Sequence, residues 1–104
     1  MGSIKEKRNG QTLTVTLKGE IDHHSAVKMR SGIDKLLEES RPSTLILDLG
    51  SIEFMDSSGL GLIMGRYKKM NELGGELIVC NPSDSILKIF RLAGLGRFIK
   101  IKTK

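Results

Sequence analysis

The feature that most constrains the fold is a nearly continuous apolar run, Thr44 to Leu49, which stands between two segments of helical periodicity. Such a run is typical of a central strand that is covered by other elements. The apolar residues of the two flanking segments fall at Ala26, Met29, Ile33, Leu36 and Leu37, and at Leu60, Ile63, Met64, Tyr67 and Met70. Strands that alternate with helices imply right-handed crossovers and a largely parallel sheet. We therefore predict an α/β domain.

A hairpin is predicted before this alternation begins. Asn9-Gly10 is a strong hairpin turn signal, and Thr12 to Leu17 alternates with the period of two that is typical of a half-buried strand. Ser3 to Arg8 is therefore predicted to be its antiparallel partner. Gly19 to His24 breaks the alternation, which places the end of the second strand at Leu17.

The second half of the chain continues the alternation of strands and helices. The predicted elements are a loop over 50–56, a helix from near Ser57 to Gly74-Gly75, a strand over Glu76 to Cys80, a helix from Ser83 to Gly94, and a strand over Phe98 to Lys102. The order is ββαβαβαβ in a mixed, mostly parallel sheet. The length of 104 residues fits one domain, 1–104. One interpretation of residues 1–3 is a remnant of an expression vector.

Composition and charge exclude several classes of protein. No apolar run approaches the ~20 residues that span a bilayer, and the single Cys80 excludes an internal disulfide, so a cytoplasmic location is the default. The net charge of +5 lies wholly in residues 85–104, which hold six basic groups and no acid. With no Trp, one Tyr and three Phe, stacking platforms for bases are nearly absent. We expect no nucleic-acid partner and no membrane partner, and interpret the basic end as solvated.

The motifs that resemble catalytic or cofactor sites fail on their spacing. Gly59, Gly61 and Gly65 form GxGxxxG inside a predicted helix, one residue too long for a dinucleotide fingerprint. We interpret Gly61 and Gly65 as allowing close packing of that helix on the sheet. Met55 to Gly59 holds only the second half of a nucleophile elbow, and the adjacent His23-His24 rarely point at one metal ion. The sequence predicts no enzyme, no metal site and no cofactor.

One segment, Asp56-Ser57-Ser58-Gly59, remains unusual. It follows the central strand at the carboxyl edge of the predicted sheet, where α/β proteins bind ligands and partners. Asp56 or Ser57 can cap the helix by accepting a hydrogen bond from a free backbone N–H group. The same N–H groups and the positive end of the helix dipole accommodate a phosphate, so a serine here is also a sound phosphoacceptor. Both interpretations stay open on the local pattern.

The sequence resembles the anti-sigma factor antagonists of the STAS domain family. The resemblance rests on Phe54 to Lys68 and Gly19 to His24, and Gly74 to Cys80 and Ile89 to Leu95 also agree. Within the family the chain is most similar to the Bacillus-type sporulation antagonists of the sigma-F anti-sigma factor. The resemblance implies a STAS-like fold. Those antagonists continue into a C-terminal helix, which we expect to be absent here.

The resemblance also implies a function and the residues that perform it. Members are not enzymes and need no cofactor: they bind an anti-sigma factor that is also a serine kinase, free the sigma factor, and are phosphorylated in return, after which a phosphatase resets them. The phosphoacceptor maps onto Ser57, with Ser58 the weaker candidate. The implied partner-binding residues are Asp22, His23, His24, Asp56, Ser57, Ser58 and Gly59. Two alternatives remain, a STAS scaffold that is never phosphorylated and a small nucleotide-binding protein.

Overall fold

The computed structural model describes residues 2–103, and its elements follow the predicted order ββαβαβαβ. The strands are β1 (Gly2–Asn9), β2 (Thr12–Ile21), β3 (Thr44–Met55), β4 (Glu76–Cys80) and β5 (Lys100–Lys102). The helices are α1 (His23–Ser40), α2 (Ser57–Glu72) and α3 (Asp84–Ala93). The predicted α/β class is confirmed. Met1 of the predicted remnant and Lys104 of the basic end lie outside the described residues, whereas Gly2 and Ser3 belong to β1.

The five strands form one mixed sheet in the order β1-β2-β3-β4-β5. β1 pairs antiparallel with β2 through the predicted turn, where Gly10 adopts a φ of 62°. The other three pairs are parallel. Each parallel crossover steps in the same direction, and right-handed crossovers of this kind place their helices on one face of the sheet. The predicted topology is confirmed.

The hydrophobic core lies between that face and the helices. The core side chains alternate along the strands and recur with helical spacing: Leu13, Val15, Leu17, Leu45, Leu47, Leu49, Leu77 and Val79 from the strands, and Met29, Ile33, Leu37, Leu62, Ile63, Met70, Ile86 and Phe90 from the helices. Their packing fixes the position of α1 and α2 on the sheet, and with it the position where each helix begins.

β2 and β3 are longer than predicted. β2 continues to Ile21 and β3 to Met55, so the predicted loop over 50–56 is wrong for all but its last residue. The pairing register shifts twice, and both shifts insert an extra residue into β3. Such bulges break the period of two while strand pairing continues. Ile52 and Met55 consequently stay buried although they no longer alternate with the residues before them.

The last strand is shorter than predicted. A single turn of 3-10 helix, Leu95–Arg97, follows α3, and the backbone N–H groups of Phe98 and Ile99 donate to the carbonyl of Leu95. These bonds keep Phe98 and Ile99 out of the sheet. β5 therefore begins only at Lys100, and the alternation read from Phe98 includes residues of a turn.

The glycines of α2 pack differently from the prediction. A Cβ atom added at Gly61 or Gly65 would meet nothing within 4 Å, so the interpretation that these two allow close packing on the sheet is wrong. They lie on the side of α2 that turns away from the sheet. Gly59 is the glycine that packs closely, because a Cβ atom there would overlap Cγ and Sδ of Met55.

Two alanine substitutions in α2 are therefore expected to change stability in opposite directions. Gly65→Ala should raise the free energy of unfolding by about 0.5–1 kcal/mol, because alanine has the higher helix propensity and no neighbour is displaced. Gly59→Ala should lower it by at least about 1 kcal/mol through overpacking against Met55. Urea unfolding of both variants measures the difference, and each is the control of the other. Equal changes in the free energy of unfolding of the two variants would contradict the close packing of Gly59 against Met55 and the open surroundings of Gly65.

Candidate functional site

The C-terminal ends of β2 and β3 lie side by side. Ile21 pairs with Met55, and the backbone N–H of Asp56 donates to the carbonyl of Ile21 at 3.1 Å. Because α1 and α2 follow these two strands directly, the helices begin next to each other at the carboxyl edge of the sheet. The structure thus brings together the two segments singled out in the sequence, one beginning at Asp22 and the other at Asp56.

Asp22 is the N-cap of α1. Its carboxylate accepts a hydrogen bond from the backbone N–H of Ser25 at 2.8 Å, and the Ser25 hydroxyl accepts from the N–H of Asp22 at 3.0 Å. The backbone hydrogen bond from Ser25 lowers the pKa of the Asp22 carboxyl. This capping box starts the helix at His23, so the two histidines lie in the first turn of α1.

Because Asp22 caps α1, Asp22→Ala is expected to lower the thermal stability of the domain. The melting temperature should fall by about 5 °C, while Asp22→Asn, which keeps a good capping acceptor, should melt close to the parent. Since the folded pKa is lowered, the stabilisation by the carboxylate is complete above the ordinary carboxyl range and is lost as the pH falls through the lowered value. The difference in melting temperature between the parent and Asp22→Ala should therefore disappear at acidic pH. An equal loss in Asp22→Asn would contradict the cap.

Asp56 caps α2 in a similar way. Its carboxylate accepts from the backbone N–H of Ser58 at 2.7 Å, and its carbonyl accepts from the N–H of Gly59 at 3.0 Å. Asp56 therefore performs the capping that the sequence left open between Asp56 and Ser57. Ser57 is the first residue of the helix and is exposed, whereas Ser58 is half-buried. Among residues 2–103, no hydrogen bond engages the Ser57 hydroxyl, so the fold does not require it.

The first turns of α1 and α2 flank a shallow groove of about 320 Å³. It is lined by His23, Ala26, Val27, Arg30, Ser58, Gly61 and Leu62. Val27 is 49 % exposed, although it is a large apolar side chain. The absence of a side chain at Gly61 helps to keep the groove open. The groove was not predicted, and its signal was an apolar residue, Val27, that lies off the apolar stripe of α1.

The remaining predicted site residues have different surroundings. His24 is exposed in the first turn of α1 but does not line the groove. Gly59 is buried against Met55, which gives it a packing role, and its contact with a partner stays a prediction. Phe54, which the sequence reading passed over as a site residue, is 52 % exposed and lies opposite Glu20 on the neighbouring strand. It adds an exposed aromatic ring to the edge that carries Ser57.

Within residues 2–103, no group of three or more His, Cys, Asp or Glu side chains is arranged to hold a metal ion. In the same part of the chain, no helix is both long and apolar enough to cross a membrane.

Comparison with known proteins places the chain in a family. The family profile described as STAS domain matches residues 3–104. The chain belongs to the STAS domain family. This STAS domain is 36 % identical to the anti-sigma F factor antagonist of Paenibacillus polymyxa over 98 residues, which cover 94 % of this chain and 84 % of that protein. It is 32 % identical to the anti-sigma-B factor antagonist of Bacillus subtilis over 102 residues, covering 98 % and 92 %.

Solved structures of anti-sigma factor antagonists have the same fold as this STAS domain. The anti-sigma factor antagonist SpoIIAA in its unphosphorylated form superimposes on this STAS domain with a TM-score of 0.82 at 31 % identity, over 95 % of this chain and 87 % of that one. The Bacillus cell fate determinant SpoIIAA in the phosphorylated form gives a TM-score of 0.75 at 31 % identity, over 95 % and 90 %. The predicted STAS-like fold is therefore confirmed.

Proposed function

We propose that this STAS domain is an anti-sigma factor antagonist that is switched by phosphorylation of Ser57. In this proposal it binds an anti-sigma factor with serine kinase activity, frees the sigma factor, and is released when the kinase modifies Ser57. The observation that carries the proposal is the exposed, unengaged hydroxyl of Ser57 in the first turn of α2. The names of the related antagonists support it.

The docking edge consists of Asp22, His23, His24, Asp56 and Ser57, together with the groove between α1 and α2. A kinase must bring its active site to the Ser57 hydroxyl, so its surface has to approach this edge. The groove offers exposed apolar surface at Val27 beside the polar His23 and Ser58. An apolar centre with a polar rim is the usual arrangement of a protein–protein interface.

Phosphorylation of Ser57 is expected to act on the interface rather than on the fold. A phosphoserine carries about −1.5 to −2 charges, and the N-terminus of a helix accommodates such an anion. The carboxylate of Asp56 lies on the adjacent residue and already bonds the N–H of Ser58. A surface that fits a neutral hydroxyl would therefore have to bury two neighbouring negative groups. Uncompensated burial of charge is strongly unfavourable, which would release the partner.

The remaining steps of the proposed switch are the supply of ATP and the removal of the phosphate from Ser57. The kinase supplies ATP, so this STAS domain needs no cofactor and performs no catalysis itself. A phosphatase that hydrolyses the phosphoserine would restore binding. Because the partners control transcription and consume ATP, we place the protein in the cytoplasm. The similarity to anti-sigma F factor antagonists favours a role in sporulation.

The proposal is tested by mixing the purified chain with the complex of the cognate anti-sigma factor and its sigma factor in the presence of ADP. Size-exclusion chromatography should show free sigma factor and a new complex of the chain with the anti-sigma factor. Val27→Glu, which places a charge in the groove, should prevent this exchange. Ser31→Glu adds the same charge to an exposed position of α1 outside the groove and should not. A sigma factor that stays bound in the presence of the parent chain would overturn the proposal.

A further inference from the structure

Arg30 is the one residue with a permanent charge that lines the groove between α1 and α2, among the residues that the structure describes. It follows Val27 by three residues on α1, and residues at this spacing are neighbours on one face of a helix, with Cβ atoms about 5–6 Å apart. The side chain of Arg30 is exposed. The wall that α1 contributes to the groove therefore presents an apolar side chain next to a guanidinium.

The charge of Arg30 has no partner within residues 2–103. Farther along the two helices, the carboxylate of Asp34 lies 3.0 Å from Nε of Arg66, and the carboxylate of Glu38 lies 3.2 Å from Nζ of Lys69. Both of these salt bridges join α1 to α2, whereas Arg30 forms none in this part of the chain. The fold therefore leaves the guanidinium of Arg30 available to another molecule.

The end of the groove at Arg30 has an excess of positive charge. Burial lowers the pKa of the Arg66 guanidinium, Asp34 opposes this shift, and the nearby charge of Arg30 adds to it. The carboxylates of Asp22 and Asp56 lie at the other end of the groove, where they accept hydrogen bonds from backbone N–H groups at the starts of α1 and α2. Two arginines thus face one carboxylate, and an occupant of this end should be anionic.

A carboxylate beside an apolar side chain is the chemistry that fits these surroundings. A guanidinium binds a carboxylate through two parallel N–H···O bonds, so one arginine is sufficient for it. A phosphate group, with about −1.5 to −2 charges, would be only partly balanced by one arginine. Val27, which is 49 % exposed, offers the neighbouring apolar contact. Apolar contacts at the centre of an interface supply affinity, and charge pairs at its rim supply specificity.

We propose that the groove selects its anti-sigma factor through an acidic residue, Asp or Glu, that pairs with Arg30 while a neighbouring apolar side chain of the same segment packs on Val27. This inference rests on the proposed function, because it takes the docking partner to be the anti-sigma factor. It makes Arg30 a specificity-determining residue. A partner without the carboxylate would bury the guanidinium unpaired, which is unfavourable and would reject that partner. Recognition at Arg30 is then separate from modification at Ser57.

The test is the affinity of the purified cognate anti-sigma factor, with ADP, for the parent chain and for variants of α1. Arg30→Glu should raise the Kd at least about tenfold, because two carboxylates would then face each other. Arg30→Met, which keeps a long side chain without the charge, should raise the Kd less and make it less sensitive to salt. The control Lys28→Glu makes the same change of charge on the side of α1 that faces β1. It should bind within about twofold of the parent, because salt screens charges outside the contact.

A second measurement locates the acidic residue of the partner. Exposed Asp and Glu residues of the anti-sigma factor are changed one at a time to Lys, and one such variant should bind Arg30→Glu more tightly than it binds the parent chain. Circular dichroism shows whether the α1 variants are folded. If Arg30→Glu does not fold, the affinity and salt dependence of Arg30→Met decide.

The outcomes separate this inference from the proposed function. Equal affinities of the parent and Arg30→Glu, equal losses in Arg30→Glu and Lys28→Glu, or an unchanged affinity and salt dependence in Arg30→Met would overturn the role of Arg30. The same holds if no Lys variant of the anti-sigma factor prefers Arg30→Glu. In all of these cases the parent still binds, and the proposed function stands. A parent chain that does not bind the anti-sigma factor would overturn both.

Discussion

Ser57→Ala is expected to abolish phosphorylation of this STAS domain by its cognate kinase and to leave binding to that kinase intact. The hydroxyl is exposed and Asp56 provides the cap of α2, so the substitution removes only the acceptor. Incubation with the kinase and ATP should therefore produce no phosphorylated product, and the complex should persist. Incorporation of labelled phosphate and co-elution on size-exclusion chromatography measure the two effects. Modification of Ser57→Ala at the parent rate would show that the acceptor is another residue.

Two further variants separate the role of Ser57 from that of its neighbour. Ser57→Asp should fold normally, because a carboxylate is favourable at the N-terminus of a helix. It should bind the kinase at least about tenfold more weakly, which corresponds to about 1.4 kcal/mol of lost binding free energy. Ser58→Ala should still be phosphorylated, because the half-buried hydroxyl of Ser58 lies in the groove and its N–H, not its hydroxyl, bonds Asp56. Loss of phosphorylation in Ser58→Ala would assign the acceptor to Ser58.

The largest loss of stability is expected from removing the carboxylate of Asp34. Arg66 of α2 is buried, with a side chain 7 % exposed, and its Nε lies 3.0 Å from the Asp34 carboxylate on α1. Burial lowers the pKa of the Arg66 guanidinium, and the charge of Asp34 opposes this. Within the described residues, neither Nε nor Nη1 of Arg66 makes a hydrogen bond, so the charge of Asp34 is the main compensation for the buried guanidinium. Asp34→Ala should lower the free energy of unfolding by about 3 kcal/mol.

A double variant distinguishes loss of the ion pair from loss of packing. Asp34→Ala, Arg66→Met removes both charges and keeps an unbranched side chain of similar length in the interface between α1 and α2. Replacement of a buried pair by apolar residues is often neutral or stabilising, so the double variant should recover most of the loss. Urea unfolding of the parent, both single variants and the double variant gives the coupling free energy. Additive losses would show that Asp34 and Arg66 act independently.

The parts of the fold that could be predicted from the sequence are those specified by local signals. The apolar run at Thr44 and the turn at Asn9-Gly10 depend on nearby residues only, and both are present in the structure. The same holds for Ser83, whose hydroxyl accepts from the N–H of Ile86 at the start of α3. The order of the elements and the direction of the strands follow from these signals and from the handedness of crossovers.

The error in β3, the error at the glycines of α2 and the missed groove depend on how separate elements are placed against one another. The bulges of β3 keep residues 50–55 in the sheet through pairing with β2, which the local alternation does not reveal. The different roles of Gly59 and Gly65 are set by where Met55 lies. For the site, Ser57 and Asp56 were found from their position after a strand. The groove needed the relative placement of α1 and α2, and Val27 became informative only when its exposure was known.

The central claim, that phosphorylation of Ser57 switches partner binding, is tested most directly on the parent chain incubated with its cognate kinase and ATP. Size-exclusion chromatography separates the free chain from the complex, and tandem mass spectrometry of each fraction locates the phosphate. We predict a single phosphoryl group on Ser57, found in the free fraction, and unmodified chain in the complex. A phosphate on Ser58 or on another residue, or chain phosphorylated on Ser57 that still elutes with the kinase, would contradict the claim.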